Sequence, residues 1–430
     1  RHDSPNSLGA MATERARKTV KTRVEAGNVA SGRSVTVRIE KVVAEGDGLG
    51  RLDDGRVVFV EGALPGELVE ARIVKQSRDY ARATTTKVLE ANSERVDPPC
   101  GFVRQGCGGC DLQHASVSLQ REIKRDIVRE SLVRLGRIAD PDVRIPDVSV
   151  PVEGARTTIR VARASNGHVG FRRRRSHDVV PVDRCLIAHP GLGSVFADMR
   201  LESAEEAVVR VSDHDGAVVV WAEPAGLSGL ESGSVVAEGP KATIVEVVKG
   251  VALRVRAASF FQSSPRAAEV LVERVTSALG SPASWGSGPL LDAYGGIGLF
   301  AATIDVGDRE VLVVEANPSA CADARHNLRE RRARVVESAM EQWVPEPCGA
   351  VVADPARDGL RDAGVTALVA TGAPIIVLVS CDPASLGRDA RLLVDAGYRF
   401  EYCEALDLFP HTHHVEAVSR FVRDERLVPL

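Results

Sequence analysis

From Ser34 to about Leu89 apolar and polar residues alternate with a period near two, through SVTVRIEKVV, GLGRLDDGRVVFVEGAL, GELVEARIVKQ and YARATTTKVLEA. Such alternation puts every second side chain on one face of a pleated strand. Asp54-Gly55 and Pro65-Gly66 supply turn residues between these runs. Four or five strands in fewer than about sixty residues predict a small barrel. The period then changes. Apolar residues at 119, 123, 127, 132 and 135 form a helical stripe over residues 116–137, opposite a charged face, and Gly136 ends it. Between about Thr157 and Val251 short apolar runs again predict strands.

From Ser259 strands and helices alternate. Ser264 as cap and Pro265 in the first turn open a helix. A strand from Pro289 to Asp292 leads into Tyr294-Gly295-Gly296-Ile297-Gly298, a helix begins at Leu299, and a second strand ends at Glu315. This is the βαβ pattern of nucleotide sites: glycines let the backbone approach a ligand, and an acid about 20 positions on accepts from ribose hydroxyls. The string GGIG lacks the full dinucleotide fingerprint. S-adenosylmethionine is therefore favoured over NAD or FAD, since it brings no pyrophosphate for a helix end to bind.

Val351-Val352-Ala353 delivers Asp354-Pro355-Ala356-Arg357, and five apolar residues from Ile375 to Val379 run into Ser380-Cys381-Asp382-Pro383. Proline cannot continue a central strand, so Cys381 falls at the carboxyl edge of a sheet, where open α/β folds place ligands. On this segment alone two readings stand: a nucleophile, or a small hydrophobe closing the core. Asp292, Glu315, Asp354 and Cys381 make four strand ends able to meet at one crevice. A final hairpin carries Pro410-His411-Thr412-His413-His414 and then Glu416, and its histidine spacing fits no metal frame.

A chain of 430 residues predicts two or three domains. No apolar run reaches the roughly eighteen residues of a membrane span, and no hydrophobic signal core appears near the start. The expectation is a cytoplasmic protein without a membrane partner. Net charge is only −4, so a nucleic acid must be held by local basic patches. Candidates are Arg72, Lys75, Arg78 and Arg82 in the barrel and the run Arg172-Arg173-Arg174-Arg175. Residues 1–32 are read as a disordered basic leader. Eight cysteines are too few for a disulfide framework. Cys100-x6-Cys107-x2-Cys110, with Cys185 later, supplies four thiolates, enough for zinc or a [4Fe-4S] cluster. The three-plus-one spacing with Gly108-Gly109 favours the cluster, and unpaired core thiols are the remaining reading.

Three sets of residues carry resemblances. Gly48-x-Gly50 and Val60-x-Gly62-Ala63-Leu64-Pro65-Gly66-Glu67 resemble the TRAM domain, a small RNA-binding barrel. CGGCDLQHAS, with an earlier Cys and the later HDVVPVDRC, resembles the iron-sulfur signature of bacterial 5-methyluridine RNA methyltransferases of the ribosomal-RNA type, although that pattern usually spaces its first pair by five residues where this chain has six. DPAR, VSCDPASLGRD and FPHTHHVE resemble the uracil-C5 RNA methyltransferases in order and spacing.

The resemblance spans about Ser34 to Arg423 and implies an α/β fold in three parts. These are a TRAM barrel over 33–92, a central β-rich iron-sulfur domain over 93–258, and a Rossmann-like class I methyltransferase domain over 259–430. The helix at 116–137 is placed to pack on the last. It implies Cys381 as the nucleophile adding to carbon 6 of uracil, and Glu416 as the base removing the hydrogen from carbon 5. Asp354 is implied at the meeting of cofactor and uracil. Gln262, Tyr294, Glu315, Gly296 and Gly298 are implied at the S-adenosylmethionine site, and Cys100, Cys107, Cys110 and Cys185 as ligands of a [4Fe-4S] cluster. Leu299 departs, since many relatives carry Asn there. The implied substrate is RNA, first 23S rRNA, with transfer RNA the alternative, and the protein is expected to act as a monomer. A cytosine-C5 enzyme would carry a second Cys where this chain has Arg357, and a degenerate RNA-binding protein would not need Cys381, Asp354 and Glu416 intact.

Overall fold

The computed structural model describes residues 32–222, 227–229 and 237–424; apart from Gly32, the leader expected over 1–32 lies outside the described residues. Strands β1 (Ser34–Val42), β2 (Gly48–Arg51), β3 (Val57–Glu61), β4 (Leu68–Gln76) and β5 (Tyr80–Glu90) close into a barrel in the order β1-β2-β3-β5-β4. The alternation decides which residues fill it: Val37, Ile39, Val58, Val60, Val69 and Ile73 all point inward. At Gly50 a Cβ would lie 2.4 Å from Val37 Cγ1 and 2.6 Å from the Arg38 carbonyl oxygen, so β1 and β2 cross too closely for a side chain.

The chain continues through the short α1 (Gly101–Arg104), α2 (Val117–Arg134) and β6 (Val143–Arg144) into a central sheet. That sheet is built from β7 (Thr158–Arg163), β8 (Val169–Arg172), β9 (Val179–Pro181), β11 (Glu206–Val211), β12 (Val218–Ala222) and β14 (Ala237–Glu238), ordered β14-β12-β11-β7-β8-β9. Helix α3 (Gly193–Asp198) packs Val195 and Phe196 on it, and β10 (Arg200–Leu201) pairs with β13 (Leu227–Ser228). β15 (Thr243–Val248) and β16 (Val251–Arg256) form a hairpin, followed by α4 (Pro265–Leu279).

The last unit runs β17 (Leu290–Ala293), α5 (Leu299–Thr303), β18 (Val311–Glu315), α6 (Pro318–Asn327), β19 (Ala333–Glu337), β20 (Ala350–Ala353), α7 (Arg361–Ala370), β21 (Ile375–Ser380), α8 (Pro383–Asp395), β22 (Tyr398–Leu406) and β23 (Glu416–Arg423). Its sheet has eight strands in the order β19-β18-β17-β20-β21-β23-β22-β6. Helices on both faces explain the unbroken apolar run of β21: Ile375, Val377 and Val379 face the core shared with α4 and α5, while Ile376 and Leu378 face the core shared with α2, α7 and α8.

Packing does not break at the 258/259 boundary read from the sequence. Ile244, Val248, Leu253 and Val255 of the β15–β16 hairpin share one core with α4 and the eight-stranded sheet, and β6 pairs with β22 at the sheet edge. Helix α2 lies on the same sheet, through Val128 and Leu132. Among the described residues no helix is long and apolar enough to cross a membrane.

Helices α2 and α8 approach closely at Gly387, where a Cβ would lie 2.6 Å from the Ser131 carbonyl oxygen and 2.9 Å from Leu135 Cβ. Gly387→Ala should force the two helices apart and lower stability by about 1–3 kcal/mol. A urea midpoint equal to that of the native protein would show that the contact is not tight.

Candidate active site

Strands β17, β18, β20 and β21 are parallel, so their carboxyl ends lie on one edge of the sheet. β23 runs antiparallel to β21 with Ala417 opposite Ser380, which brings Glu416, its first residue, to that same edge beside Cys381. The strand order reverses at β17, between β18 and β20, and such a reversal opens a crevice. Asp292, Glu315, Asp354, Cys381 and Glu416 therefore gather there although up to 124 positions separate them in the chain.

The glycine turn follows β17. Tyr294 (φ 59°), Gly296 (φ 54°) and Gly298 (φ 80°) are left-handed, and a Cβ on Gly295 would meet Val313 Cγ1 at 2.7 Å. Glu315 braces the turn, one carboxylate oxygen accepting from Gly296 N at 2.9 Å and the other from Asn317 N at 2.7 Å. Asp292 accepts from Ala301 N at 2.9 Å, while its other oxygen is buried without a partner. Burial raises its carboxyl well above the usual range, and the charges of Asp354 and Glu315 add to this.

Gln262 is also buried with its side-chain oxygen unpartnered. Buried polar atoms without partners are uncommon in native proteins, and the unpartnered Asp292 oxygen beside the glycine turn fits a polar ligand at this place. The Tyr294 hydroxyl, by contrast, is aimed at α7, 2.6 Å from where a Cβ on Gly364 would be. Leu299 is buried in the core shared with Phe300 and α4, so its side chain offers the crevice no hydrogen bond.

Cys381 is half-buried just past β21, and Asp382 caps α8 by accepting from Ser385 N at 2.7 Å. Burial, then the charges of Glu416 and Asp354, push the Cys381 thiol up to about 12, with Arg357 opposing. Burial raises Asp354 to about 7, and burial together with Asp354 raises Glu416 well above the ordinary carboxylate range. Asp354 retains some exposure to the crevice even though protein atoms crowd it on every side, and Glu416 has almost none. Two such carboxyls cannot both ionise cheaply, so around neutrality the pair holds a proton.

Cys100, Cys107, Cys110 and Cys185 line one cavity of ≈ 160 Å³ walled by Phe102, Phe171 and Ile187. None is in a disulfide. Burial raises the Cys107 and Cys185 thiols and pushes Cys110 up to about 12, and their mutual repulsion adds to it. Arg156 lines the same cavity, and burial lowers its guanidinium while Cys110 and Cys185 act in the opposite direction. Four thiols and one buried cation suit a soft, multiply ligated group, although among the described residues no three His, Cys, Asp or Glu side chains are arranged to hold a metal ion.

The arginine run expected to meet phosphate is engaged internally. Arg172 pairs with Glu206 at 2.9 Å, Arg174 with Asp47 at 2.9 Å, Arg175 with Asp47 at 2.6 Å and Glu45 at 2.9 Å, and Arg173 donates to Gln105 O at 2.7 Å. Arg82 joins the same two carboxylates, both at 2.9 Å. Carboxylates on the barrel's β1–β2 turn claim Arg174 and Arg175, which fastens the barrel to the central sheet. Arg78 pairs with Asp79 at 4.0 Å, and Arg72 and Lys75 form no ion pair among the described residues. His413 pairs with Asp111 at 2.5 Å, and His411 lies against Gln120.

The sequence reading missed Gln120, Lys124, Asp111, Arg156 and Asp407, all packed around the turn before Glu416. A signal was present for two of them. Gln120 and Lys124 are spaced i, i+4 and lie next to the apolar stripe of α2, where a polar residue requires a buried partner.

A family model for the TRAM domain matches residues 29–86. An uncharacterized RNA methyltransferase of Streptomyces avermitilis is 34% identical over 431 residues, covering 90% of this chain and 98% of that protein. The 23S rRNA (uracil(1939)-C(5))-methyltransferase RlmD of Halomonas elongata is 31% identical, covering 88% of each. The crystal structure of the Pyrococcus abyssi tRNA (uracil-54, C5)-methyltransferase with S-adenosyl-L-homocysteine superposes with a TM-score of 0.70 at 24% identity, over 90% of this chain and 100% of that one, a likeness of fold. Identity of this level over nearly the whole length of the relatives means that the chain belongs to the RNA (uracil-C5) methyltransferase family.

Proposed function

We propose that this protein methylates carbon 5 of a uridine in 23S rRNA through a covalent adduct between Cys381 and carbon 6. The observation that carries the reading is the meeting of Cys381, Asp354 and Glu416 at one sheet edge beside the glycine turn. Carbon 5 of uracil is a poor nucleophile. Addition of the Cys381 thiolate at carbon 6 moves an electron pair onto carbon 5 as part of an enolate, which a hydroxyl in place of the thiol would do far less well. S-adenosylmethionine, which Gln262, Glu315 and the turn at Gly296 and Gly298 would hold, supplies the methyl group to carbon 5, its sulfur keeping the electron pair of the broken S–CH3 bond and leaving as S-adenosylhomocysteine. Glu416 then takes the proton from carbon 5, the pair left behind forms the 5,6 double bond, and the bond from carbon 6 to sulfur breaks to release Cys381.

The electrostatics suit a nucleophile that is idle until substrate arrives. A thiol at about 12 is almost wholly protonated near neutrality, so the proton must leave as the base docks. The ionised member of the Asp354–Glu416 pair is the base available in the crevice, and protons must pass from the pair to solvent so that Glu416 is ionised when carbon 5 loses its hydrogen. The target uridine must be single-stranded or flipped out of its helix to reach so enclosed a place. We further infer that the four cysteines hold a [4Fe-4S] cluster, with Arg156 balancing part of its negative charge.

RNA carrying 5-fluorouridine, whose carbon 5 has no proton to lose, should be trapped covalently by the native protein and not by Cys381→Ala; absence of any Cys381-dependent adduct would remove the mechanism. Mapping 5-methyluridine by mass spectrometry in 23S rRNA from a deletion strain should show one modified uridine missing, whereas an unchanged 23S rRNA with a loss in transfer RNA would redirect the substrate.

Glu416→Gln should lower turnover by about 10²–10⁴-fold. It should also speed alkylation of Cys381 at alkaline pH. The charge of Glu416 is one of the causes that raise the Cys381 thiol, so removing it brings the thiol down. Slower alkylation would contradict this electrostatic account. Protein purified without oxygen should be brown and contain iron, lost on Cys110→Ser; colourless protein with zinc would overturn the cluster.

A further inference from the structure

We propose that Lys124 and Gln120 of α2, both outside the crevice, are positioning residues that hold the turn preceding Glu416 and so govern the step in which the carbon 5 proton leaves. The proposal rests on the reading of Glu416 as base given above.

The turn from Asp407 to Val415 joins β22 to β23. Leu406 pairs directly with Glu416, so Asp407 is one residue beyond the cross-strand partner of the base. His411, in the middle of the turn, has φ 67°, a conformation that a residue with a side chain keeps only when its surroundings enforce it. The enforcing contacts come from α2 and the segment before it. Gln120 Oε1 accepts from His411 N at 2.7 Å, and Asp111 N and Leu112 N donate to the His411 carbonyl at 3.0 and 2.9 Å. Gln120 Nε2 is itself fixed by donating to Ala115 O at 2.9 Å.

Lys124 secures the first half of the turn. Its side chain is 1% exposed, and its ammonium binds Asp407 Oδ1 at 2.5 Å and donates to the Phe409 carbonyl at 3.0 Å. Removing two charges from water is costly, and an apolar side chain would satisfy this helix position as well. What an ammonium adds is three directed donors, here used on two points of one turn. Helix α2 also packs on α8, the helix that begins directly after Cys381 and Asp382. One rigid element thus touches the helix behind the nucleophile and the turn ahead of the base, which sets their separation.

If the turn loosens, thiolate addition and methylation proceed while the final elimination slows. The bond between carbon 5 and hydrogen then persists, and so does the bond from carbon 6 to Cys381. The test uses the full-length protein with uridine-containing RNA and S-adenosylmethionine, quenched under denaturing conditions. The native protein should show little protein–RNA adduct at steady state. Lys124→Met and Gln120→Ala should each show several-fold more, with kcat and KM for RNA reduced together, kcat/KM unchanged, and the rate of trapping by 5-fluorouridine RNA within about twofold of native.

Lys124→Met leaves Asp407 buried without its partner and can unfold the protein for that reason alone. The double variant Lys124→Met/Asp407→Asn removes that charge, and it should regain thermal stability yet still accumulate adduct. Recovery of both stability and turnover would overturn the proposal, as would normal trapping with no accumulation in Gln120→Ala and the double variant. A native protein that fails to trap 5-fluorouridine RNA would take down the mechanism itself and the clamp with it.

Discussion

A single row of backbone hydrogen bonds organises this molecule. The parallel pairing of β17, β18, β20 and β21 makes four successive strands end on one edge, and the antiparallel return of β23 adds a fifth residue to it from the opposite direction. Nothing in the chemistry of a thiol or a carboxylate would bring these groups together. Burial on both faces fixes the register, because a slip of one residue would exchange the cores on the two sides of the sheet. The crevice is therefore a consequence of how the apolar residues are shared between the two helical layers.

Within that crevice desolvation is the dominant influence. It is the largest cause of the raised Cys381, Asp354, Asp292 and Glu416 groups, and for Cys381 and Glu416 repulsion from neighbouring carboxylates comes second. The same environment that protonates a resting thiol makes it strongly nucleophilic once ionised, since no water shell remains to be stripped. Glu315 lies in a different setting. Its carboxylate is tied to the backbone donors Gly296 N and Asn317 N, which hold it as an acceptor.

The remaining domains converge on the turn that carries Glu416. A Cβ on Gly46 of the barrel would lie 3.0 Å from His413 Cβ, and Asp111, next to Cys110, pairs with His413 and lies 3.8 Å from Arg174. Burial alone would raise Asp111, but the hydrogen bond and charge of His413, with Arg174, carry its carboxyl below the usual range. Arg156 lies over the Phe409 ring at 5.5 Å while lining the cysteine cavity. Exposed ion pairs contribute little to stability. These are substantially buried and shared among three domains, so they act as geometric ties.

Much of this was legible in the chain. Alternation at Val37, Ile39, Val58 and Val60 specified the barrel, and the apolar run before Cys381 specified a strand buried on both faces and ending at a functional edge, because side-chain periodicity follows directly from backbone geometry. The resemblance carried by DPAR and VSCDPASLGRD pointed to Asp354 and Cys381, which follow strands ending on one edge of the sheet. The partners of charged residues were not legible. Arg174 and Arg175, expected to meet phosphate, lie against Asp47 and Glu45, and the partner of Lys124, Asp407, is 283 positions away in the chain. Local sequence determined the elements and the reactive groups; only the tertiary structure decided which charges meet, because an ion pair depends on distance in space and carries no period along the chain.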